Sequence, residues 1–120
     1  MDKKILIIDD EEAIVNMYMA ALTDFHVISA KNGKAGLALA QKEKPNLIFL
    51  DIIMPEQNGL DVLQTLKENK ETKDIPVIML TNLPKDASGA KAKALGALDY
   101  LIKAENEPED IAKEAKKILG

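Results

Sequence analysis

The chain has no cysteine and no tryptophan, and aromatic residues make up only 3% of its 120 residues. The absence of cysteine excludes disulfides, a thiol nucleophile and a thiolate metal site. His26 is the only histidine, and with no second ligand type near it we interpret it as a strand or surface residue rather than a catalyst or metal ligand. No apolar run is long enough to cross a bilayer, and the first run meets Asp9 and Asp10 too early for a signal peptide.

Charge and length narrow the class of protein further. The formal net charge is −4, with Lys and Glu mixed along the chain, which argues against a nucleic-acid surface. We therefore expect partners that are proteins or small phosphorylated molecules. The absence of cysteine is compatible with a reducing compartment, and we expect a cytoplasmic location and no membrane insertion. A chain of this length can bury a core of its own, so we expect one domain over residues 1–120, with no output domain.

Short apolar runs alternate with helical patterns along the chain. Four of the runs are apolar on both faces and end on a polar residue: 4–8 before Asp9-Asp10, 47–50 before Asp51, 77–80 before Thr81, and 100–102 before Lys103. Such runs are typical of strands in a helix-covered parallel sheet, and residues 26–29 are a further strand candidate. The predicted helices are 11–22, 33–43, 60–69, 85–95 and 109–119, and 52–59 is predicted to be a loop. The sequence thus predicts an α/β fold, a (βα)5 doubly wound parallel sheet in a three-layer sandwich, with the flavodoxin-like strand order 2-1-3-4-5.

Methionine and other apolar residues give the first helix its pattern. Its apolar positions follow the spacing i, i+3, i+4, i+7 and i+8 at Ile14, Met17, Tyr18, Ala21 and Leu22. This spacing predicts one buried stripe. We expect the five methionines of the chain to fill gaps in the core.

The polar residues after the strands define a charged site. Parallel strands share one carboxyl edge, where open α/β sheets bind ligands, so we expect Asp9, Asp10, Asp51, Thr81 and Lys103 to meet. Carboxylates at ~4 Å repel by about 4 kcal/mol per pair, which favours a bound cation, and Mg²⁺ prefers such oxygen ligands. Lys103 and the Thr81 hydroxyl could hold a phosphoryl group. Asp51 is then a candidate nucleophile that forms an aspartyl phosphate.

The same residues carry a resemblance to a known family. The set comprises Asp9-Asp10, Asp51 followed by Met54-Pro55 and Gly59, Thr81, and Lys103 with Tyr100 three residues before it. It resembles the receiver domain of bacterial two-component response regulators, and the similarity to single-domain chemotaxis-type members covers the whole chain. The resemblance implies a phosphorylation-activated switch, not an enzyme in the usual sense, that catalyses its own phosphorylation and slow dephosphorylation.

The resemblance also implies roles for individual residues. Asp51 would take a phosphoryl group from a sensor histidine kinase or phosphotransfer protein, Asp10, Asp51 and the Ile53 carbonyl would bind Mg²⁺, and Asp9 would act through water. Thr81 and Lys103 would hold the phosphoryl oxygens. Their displacement would let Tyr100 turn inward and reshape the face of the fourth helix, fifth strand and fifth helix, where a downstream target protein binds. We expect a monomer or weak dimer.

Two positions, Asn82 and Ala104, depart from the family pattern. Two others, Ile53 and Leu83, are positions that the family uses to adjust the rate of hydrolysis. The active lysine is commonly followed by proline through a cis peptide, but Lys103 precedes Ala104, and we expect a trans bond there. A small residue usually follows the threonine, and here it is Asn82, which we expect to narrow access to Asp51. Ile53 and Leu83 are aliphatic residues beside the expected phosphoryl group, so we expect them to exclude water and slow the loss of phosphate.

Three other functions remain open at this point. A receiver that no longer needs phosphorylation would be a constitutive protein-interaction module. A phosphatase or mutase with Asp51 as nucleophile would carry an acid/base residue two positions later, where this chain has Ile53. An FMN-binding flavodoxin would need a phosphate loop after the first strand and aromatics to stack on the flavin, and the chain offers only Tyr18, Phe25, Phe49 and Tyr100.

Overall fold

The structure, a computed structural model, describes residues 2–120. The strands are β1 (Lys4–Ile8), β2 (His26–Ala30), β3 (Leu47–Leu50), β4 (Ile53–Met54), β5 (Gln57–Asn58), β6 (Val77–Thr81) and β7 (Asp99–Ile102). The helices are α1 (Glu12–Ala21), α2 (Gly33–Glu43), α3 (Gly59–Glu68), α4 (Lys85–Ala94) and α5 (Pro108–Leu119), and a short 3-10 turn covers Lys103–Glu105. Among the described residues, no helix is long and apolar enough to span a membrane.

Five strands form one parallel sheet in the order β2-β1-β3-β6-β7. With β4 and β5 set aside, this is the predicted order 2-1-3-4-5. The register of β1 and β3 pairs Ile8 with Leu50, so the residues that follow these two strands begin next to each other. The sheet topology is therefore what places the acidic pair and Asp51 at one edge.

Helices cover both faces of the sheet, and alternating side chains of the central strands divide the core in two. Leu6, Ile8 and Ile48 face the side covered by α2, α3 and α4. Ile5, Ile7 and Phe49 face the side covered by α1 and α5. Because β1, β3 and β6 are buried on both faces, their sequences are almost continuously apolar, which is the pattern expected of such strands.

The structure corrects the prediction for α1 and for the methionines. Met17 was predicted to lie on the buried stripe, but it is 55% exposed, and Met19 is 36% exposed. Val15 and Tyr18 are the buried residues of the helix. Met54 and Met79 are in the core as predicted, and Met1 lies outside the described residues.

The loop predicted at 52–59 contains structure that the sequence did not indicate. Residues of β4 and β5 pair as a small antiparallel hairpin, with Met54 opposite Gln57. Glu56 turns the chain at a φ of 66°, a left-handed conformation that is uncommon for a glutamate. The hairpin was missed because Glu56 is neither glycine nor asparagine, the residues that usually mark such a turn.

Candidate functional site

The predicted site residues come together at the carboxyl edge of the sheet. Asp9 follows β1, Asp51 follows β3, Thr81 is the last residue of β6, and Lys103 follows β7. These four residues are buried, with exposed fractions of 3%, 4%, 0% and 8% respectively, whereas Asp10 is exposed. Polar residues buried to this degree at the end of strands need partners inside the protein.

Lys103 is the partner that the buried carboxylates of Asp9 and Asp51 share. Its ammonium lies 2.7 Å from Asp9 Oδ2, 3.0 Å from Asp51 Oδ2 and 3.0 Å from Glu11 Oε1. An ammonium has three N–H donors, and each has a carboxylate partner here. Lys103 is therefore a fixed cation at the centre of the site rather than a mobile surface side chain.

The two buried carboxylates are oriented by local backbone contacts. Asp9 Oδ1 accepts a hydrogen bond from the Glu11 N–H at 2.9 Å, and Asp51 Oδ1 accepts one from the Ile53 N–H at 3.3 Å. In both residues the second oxygen contacts Lys103. Gly59 lets the start of α3 approach the Asp51 backbone closely, because a Cβ at that position would collide with the Asp51 carbonyl oxygen.

Burial and charge shift two pKa values in this cluster. Burial raises the pKa of Asp9 above its ordinary value, although the hydrogen bond from Lys103 opposes the shift. Burial alone would lower the pKa of Lys103, but hydrogen bonds to Asp9, Asp51 and Glu11 raise it overall. The raised pKa keeps the Lys103 ammonium protonated at neutral pH, and carboxyl groups outnumber it in the site.

An excess of carboxylate oxygen is what a divalent cation requires. One oxygen from each of Asp9, Asp10 and Asp51 lies within 4.8 Å of the others, a spacing at which a single ion could contact all three. The donor set contains only hard oxygen ligands, which Mg²⁺ prefers over softer metals. The residues present therefore fit a magnesium ion.

A cleft of about 360 Å³ opens over this cluster. It is lined by Asp10, Glu11, Asp51, Ile53, Thr81, Asn82 and Lys103. The Ile53 side chain is 58% exposed at its rim. The cleft is large enough for a phosphoryl group, and Asp51 forms part of its wall.

Thr81 and Tyr100 contact the two ends of one residue. The Leu83 N–H donates to Thr81 Oγ1 at 3.4 Å, and the Tyr100 hydroxyl donates to the Leu83 carbonyl oxygen at 3.0 Å. Tyr100 is only 6% exposed, and burial raises its pKa. The aromatic ring already lies inward in this structure, whereas the resemblance implied an inward turn that follows the displacement of Thr81 and Lys103.

The two positions that depart from the family pattern, Asn82 and Ala104, lie side by side. All peptide bonds between the described residues are trans, as expected for Lys103-Ala104. The Ala104 N–H donates to Asn82 Oδ1 at 2.8 Å. Sequence reasoning treated these two departures as independent, but the structure joins them.

Glu11 is a residue of the site that sequence reasoning missed. It is separated from Lys103 by 92 residues in sequence, and its side chain is 52% exposed. The available signal was the run of four acidic residues from Asp9 to Glu12, of which only the first two were assigned to the site. Its place at the start of α1, beside Asp9, brings it to Lys103.

Comparison with known proteins gives the class that this fold and site define. The family model for the response regulator receiver domain matches residues 5–116. Protein PilH of Pseudomonas aeruginosa is 38% identical over 98% of this chain and 98% of its own length. The chemotaxis protein CheY4 of Vibrio cholerae has a structure that superposes with a TM-score of 0.90 at 30% identity, covering 99% of this chain and 100% of CheY4.

The chain belongs to the response regulator receiver domain family. It is a CheY-like receiver of the two-component type, a class of signalling switches rather than enzymes in the usual sense. Receiver domains of this family interact with histidine kinases and with downstream effectors. The chain spans 98% of PilH but only about half (49%) of the alkaline phosphatase synthesis transcriptional regulatory protein PhoP of Bacillus subtilis, which is 36% identical over 99% of this chain.

Proposed function

We propose that this chain is a phosphorylation-activated switch that accepts a phosphoryl group on Asp51. The observation that carries the proposal is the setting of the Asp51 carboxylate, which is 4% exposed, contacts Lys103 at 3.0 Å and lines the cleft. In the reaction, an Asp51 oxygen attacks the phosphorus of a phosphohistidine. The P–N bond breaks, and its electron pair returns to the imidazole of the kinase or phosphotransfer protein.

The other site residues take the roles that their positions allow. Negative charge is spread over the oxygens of the phosphoryl group during its transfer. Lys103 and the Thr81 hydroxyl hold these oxygens and stabilise that charge. Mg²⁺, when bound, neutralises part of that charge. Asp10, Asp51 and the Ile53 carbonyl would hold the ion, and Asp9 would act through a water molecule.

The contacts of Leu83 support a route from the site to a partner surface. If Thr81 Oγ1 turns toward a phosphoryl oxygen, it releases the Leu83 N–H. The β6–α4 loop can then shift, and the Tyr100 hydroxyl bonded to the Leu83 carbonyl moves with it. This motion would reshape the face formed by α4, β7 and α5, through which we propose that a downstream target protein binds.

The aliphatic residues at the cleft support a slow loss of phosphate. Ile53 is exposed at the rim of the cleft, where its side chain can exclude an attacking water. Leu83 packs against the core, and its N–H contacts Thr81 Oγ1 in the wall of the cleft, so we propose that it helps to close that wall to water. Replacement of Ile53 and Leu83 by serine should accelerate decay of the phosphorylated protein, followed by intact mass. Unchanged decay in both variants would contradict this part of the proposal.

The main test is the intact mass of the protein after incubation with acetyl phosphate and Mg²⁺. We expect the mass of one phosphoryl group to be added to the wild type, and no addition in the presence of EDTA or in Asp51→Ala. Asp24→Ala is the matched control, since Asp24 is an exposed carboxylate paired with Lys116, and it should be phosphorylated normally. Failure of the wild type, with its fold intact, would favour a phosphorylation-independent interaction module.

Three further parts of the proposal concern the domain organisation, the cellular location and the oligomeric state of the protein. We place residues 1–120 in a single receiver domain, which the family match at residues 5–116 supports. We propose a cytoplasmic location, where sensor kinases present their phosphohistidines. We propose a monomer or weak dimer, which analytical ultracentrifugation at several concentrations would test.

A further inference from the structure

A hydrogen bond joins the residues that follow Thr81 and Lys103. The parallel ladder between β6 and β7 ends with the pair Thr81 and Ile102. One step beyond it, the Ala104 N–H donates to Asn82 Oδ1 at 2.8 Å. The bond therefore continues the connection between the two strands past the end of the sheet, at the edge that carries the site.

This bond requires a residue other than proline at position 104 and a side chain with an acceptor oxygen at position 82. Proline at position 104 would have no N–H to donate, and a small apolar residue at position 82 would have no acceptor. The chain combines alanine, which has a free N–H, with asparagine, whose carboxamide oxygen reaches it. Each departure from the family pattern thus supplies the partner that the other needs.

The 3-10 turn that begins at Lys103 is held on two sides. Asn106 Nδ2 donates to the Ile102 carbonyl oxygen at 2.9 Å, just before Lys103, and Asn82 holds Ala104 just after it. The backbone of Lys103 is fixed between these bonds. A fixed backbone matters because the ammonium must stay within about 3 Å of three carboxylates on two other strand ends.

We propose that Asn82 is a positioning residue that holds Lys103 in the site by accepting the Ala104 N–H. The proposal rests on the proposed function for its effect on phosphorylation. It reverses the expectation drawn from the sequence, in which the size of Asn82 narrows access to Asp51. Loss of the Asn82 carboxamide should therefore slow phosphorylation rather than speed it.

The kinetic test is the rate of phosphorylation by acetyl phosphate in Asn82→Ala, measured both in the wild type and in a Lys103→Met background. We expect a two- to tenfold slower rate in the wild-type background, about the effect of one hydrogen bond of this kind, and no further slowing in Lys103→Met. The control is Asn32→Ala, because Asn32 Oδ1 makes an exposed bond of the same length, 2.8 Å, to the Ala35 N–H in α2. That variant should leave the rate unchanged.

Hydrogen exchange and unfolding measure the same contact without phosphorylation. The Ala104 amide should exchange faster in Asn82→Ala and at the wild-type rate in Asn82→Asp, which retains the acceptor oxygen. In a double-mutant cycle of urea unfolding, Asn82→Ala and Lys103→Met should show a non-zero coupling.

The outcomes separate this inference from the proposed function. Faster phosphorylation in Asn82→Ala, equal slowing in both backgrounds, or unchanged exchange at Ala104 would overturn the positioning role. If the wild type takes up no phosphoryl group, the proposed function fails. The exchange and unfolding measurements then decide the role of Asn82: faster exchange with coupling supports it, and unchanged exchange or additive unfolding overturns it.

Discussion

Replacement of Lys103 by methionine gives the most direct test of the electrostatics of this site. The change removes the ammonium and keeps most of the length of the side chain. Of its three carboxylate partners, Glu11 is 52% exposed and can turn to water. Asp9 and Asp51, with side chains 2% and 4% exposed, would be left as buried charges without their cation.

The expected decrease in the free energy of unfolding follows from these two uncompensated charges. Removal of one partner from a buried ion pair typically costs about 3–5 kcal/mol, a large part of the ~5–15 kcal/mol by which domains of this kind are stable. With a urea slope of about 1–3 kcal/mol/M, the unfolding midpoint at pH 7 in EDTA should fall by at least ~1 M. The matched control is Lys116→Met, since the Lys116–Asp24 pair at 2.8 Å is exposed and should contribute no more than about 1 kcal/mol.

The stability lost in Lys103→Met should depend on pH, and the direction of that dependence can be worked out. Burial already raises the pKa of Asp9 with Lys103 present, and removal of the ammonium raises it further. The folded variant then binds a proton at a pH where the unfolded chain, with an Asp pKa of about 3.9, does not. Its stability must therefore increase as the pH falls from 7 through the folded pKa of Asp9, so the gap to the wild type should narrow toward pH 5.

Urea unfolding followed by circular dichroism, at pH 7 and pH 5, measures both effects. Mg²⁺ should also narrow the gap, because a ligand that binds only the folded state stabilises it, and the site without the Lys103 ammonium beside Asp9 and Asp51 should bind a cation more tightly than the wild type does. A loss below about 1 kcal/mol, equal to that of Lys116→Met and independent of pH, would refute the electrostatic account of the site.

Three further substitutions test contacts other than those of the Lys103 ammonium. Thr72→Val should cost about 1–3 kcal/mol in urea unfolding, since the buried Thr72 hydroxyl donates to a carbonyl oxygen of α3 at 2.7 Å. Gly59→Ala should destabilise the fold and reduce phosphorylation, because the added Cβ meets the Asp51 carbonyl oxygen; normal stability together with normal phosphate uptake would contradict this. Tyr100→Phe should lose about 0.5–1.5 kcal/mol with its bond to Leu83, and an unchanged unfolding midpoint would show that the bond contributes nothing.

The sheet and the site were predictable because both depend on a rule that connects sequence to position. Strands buried on both faces are continuously apolar, and parallel strands place the residues that follow them at one edge. Asp51 and Lys103 could therefore be assigned to the same place although 52 positions separate them. No information on side-chain contacts was needed for that step.

The parts that were missed lack such a rule. Helix α1 has apolar residues on more than one side, and periodicity alone did not reveal that Val15 is buried while Met17 is exposed. The turn at Glu56 depends on a left-handed residue that is not a usual turn former. The contacts of Glu11 and Asn82 join segments far apart in sequence, and each depends on the reach of one side chain.

The contacts of Lys103 and Thr81 suggest different roles for the two residues after phosphorylation of Asp51. Its three donors are already directed at carboxylates, and a phosphoryl group on Asp51 would place new anionic oxygens next to the same ammonium. Lys103 would then exchange one acceptor for another with little movement, since Glu11 can turn to solvent. Thr81 differs, because turning its hydroxyl toward a phosphoryl oxygen breaks the 3.4 Å contact with the Leu83 N–H. On the proposed mechanism, Lys103 therefore stabilises the phosphorylated state, while Thr81 and Leu83 transmit it to Tyr100 and α4.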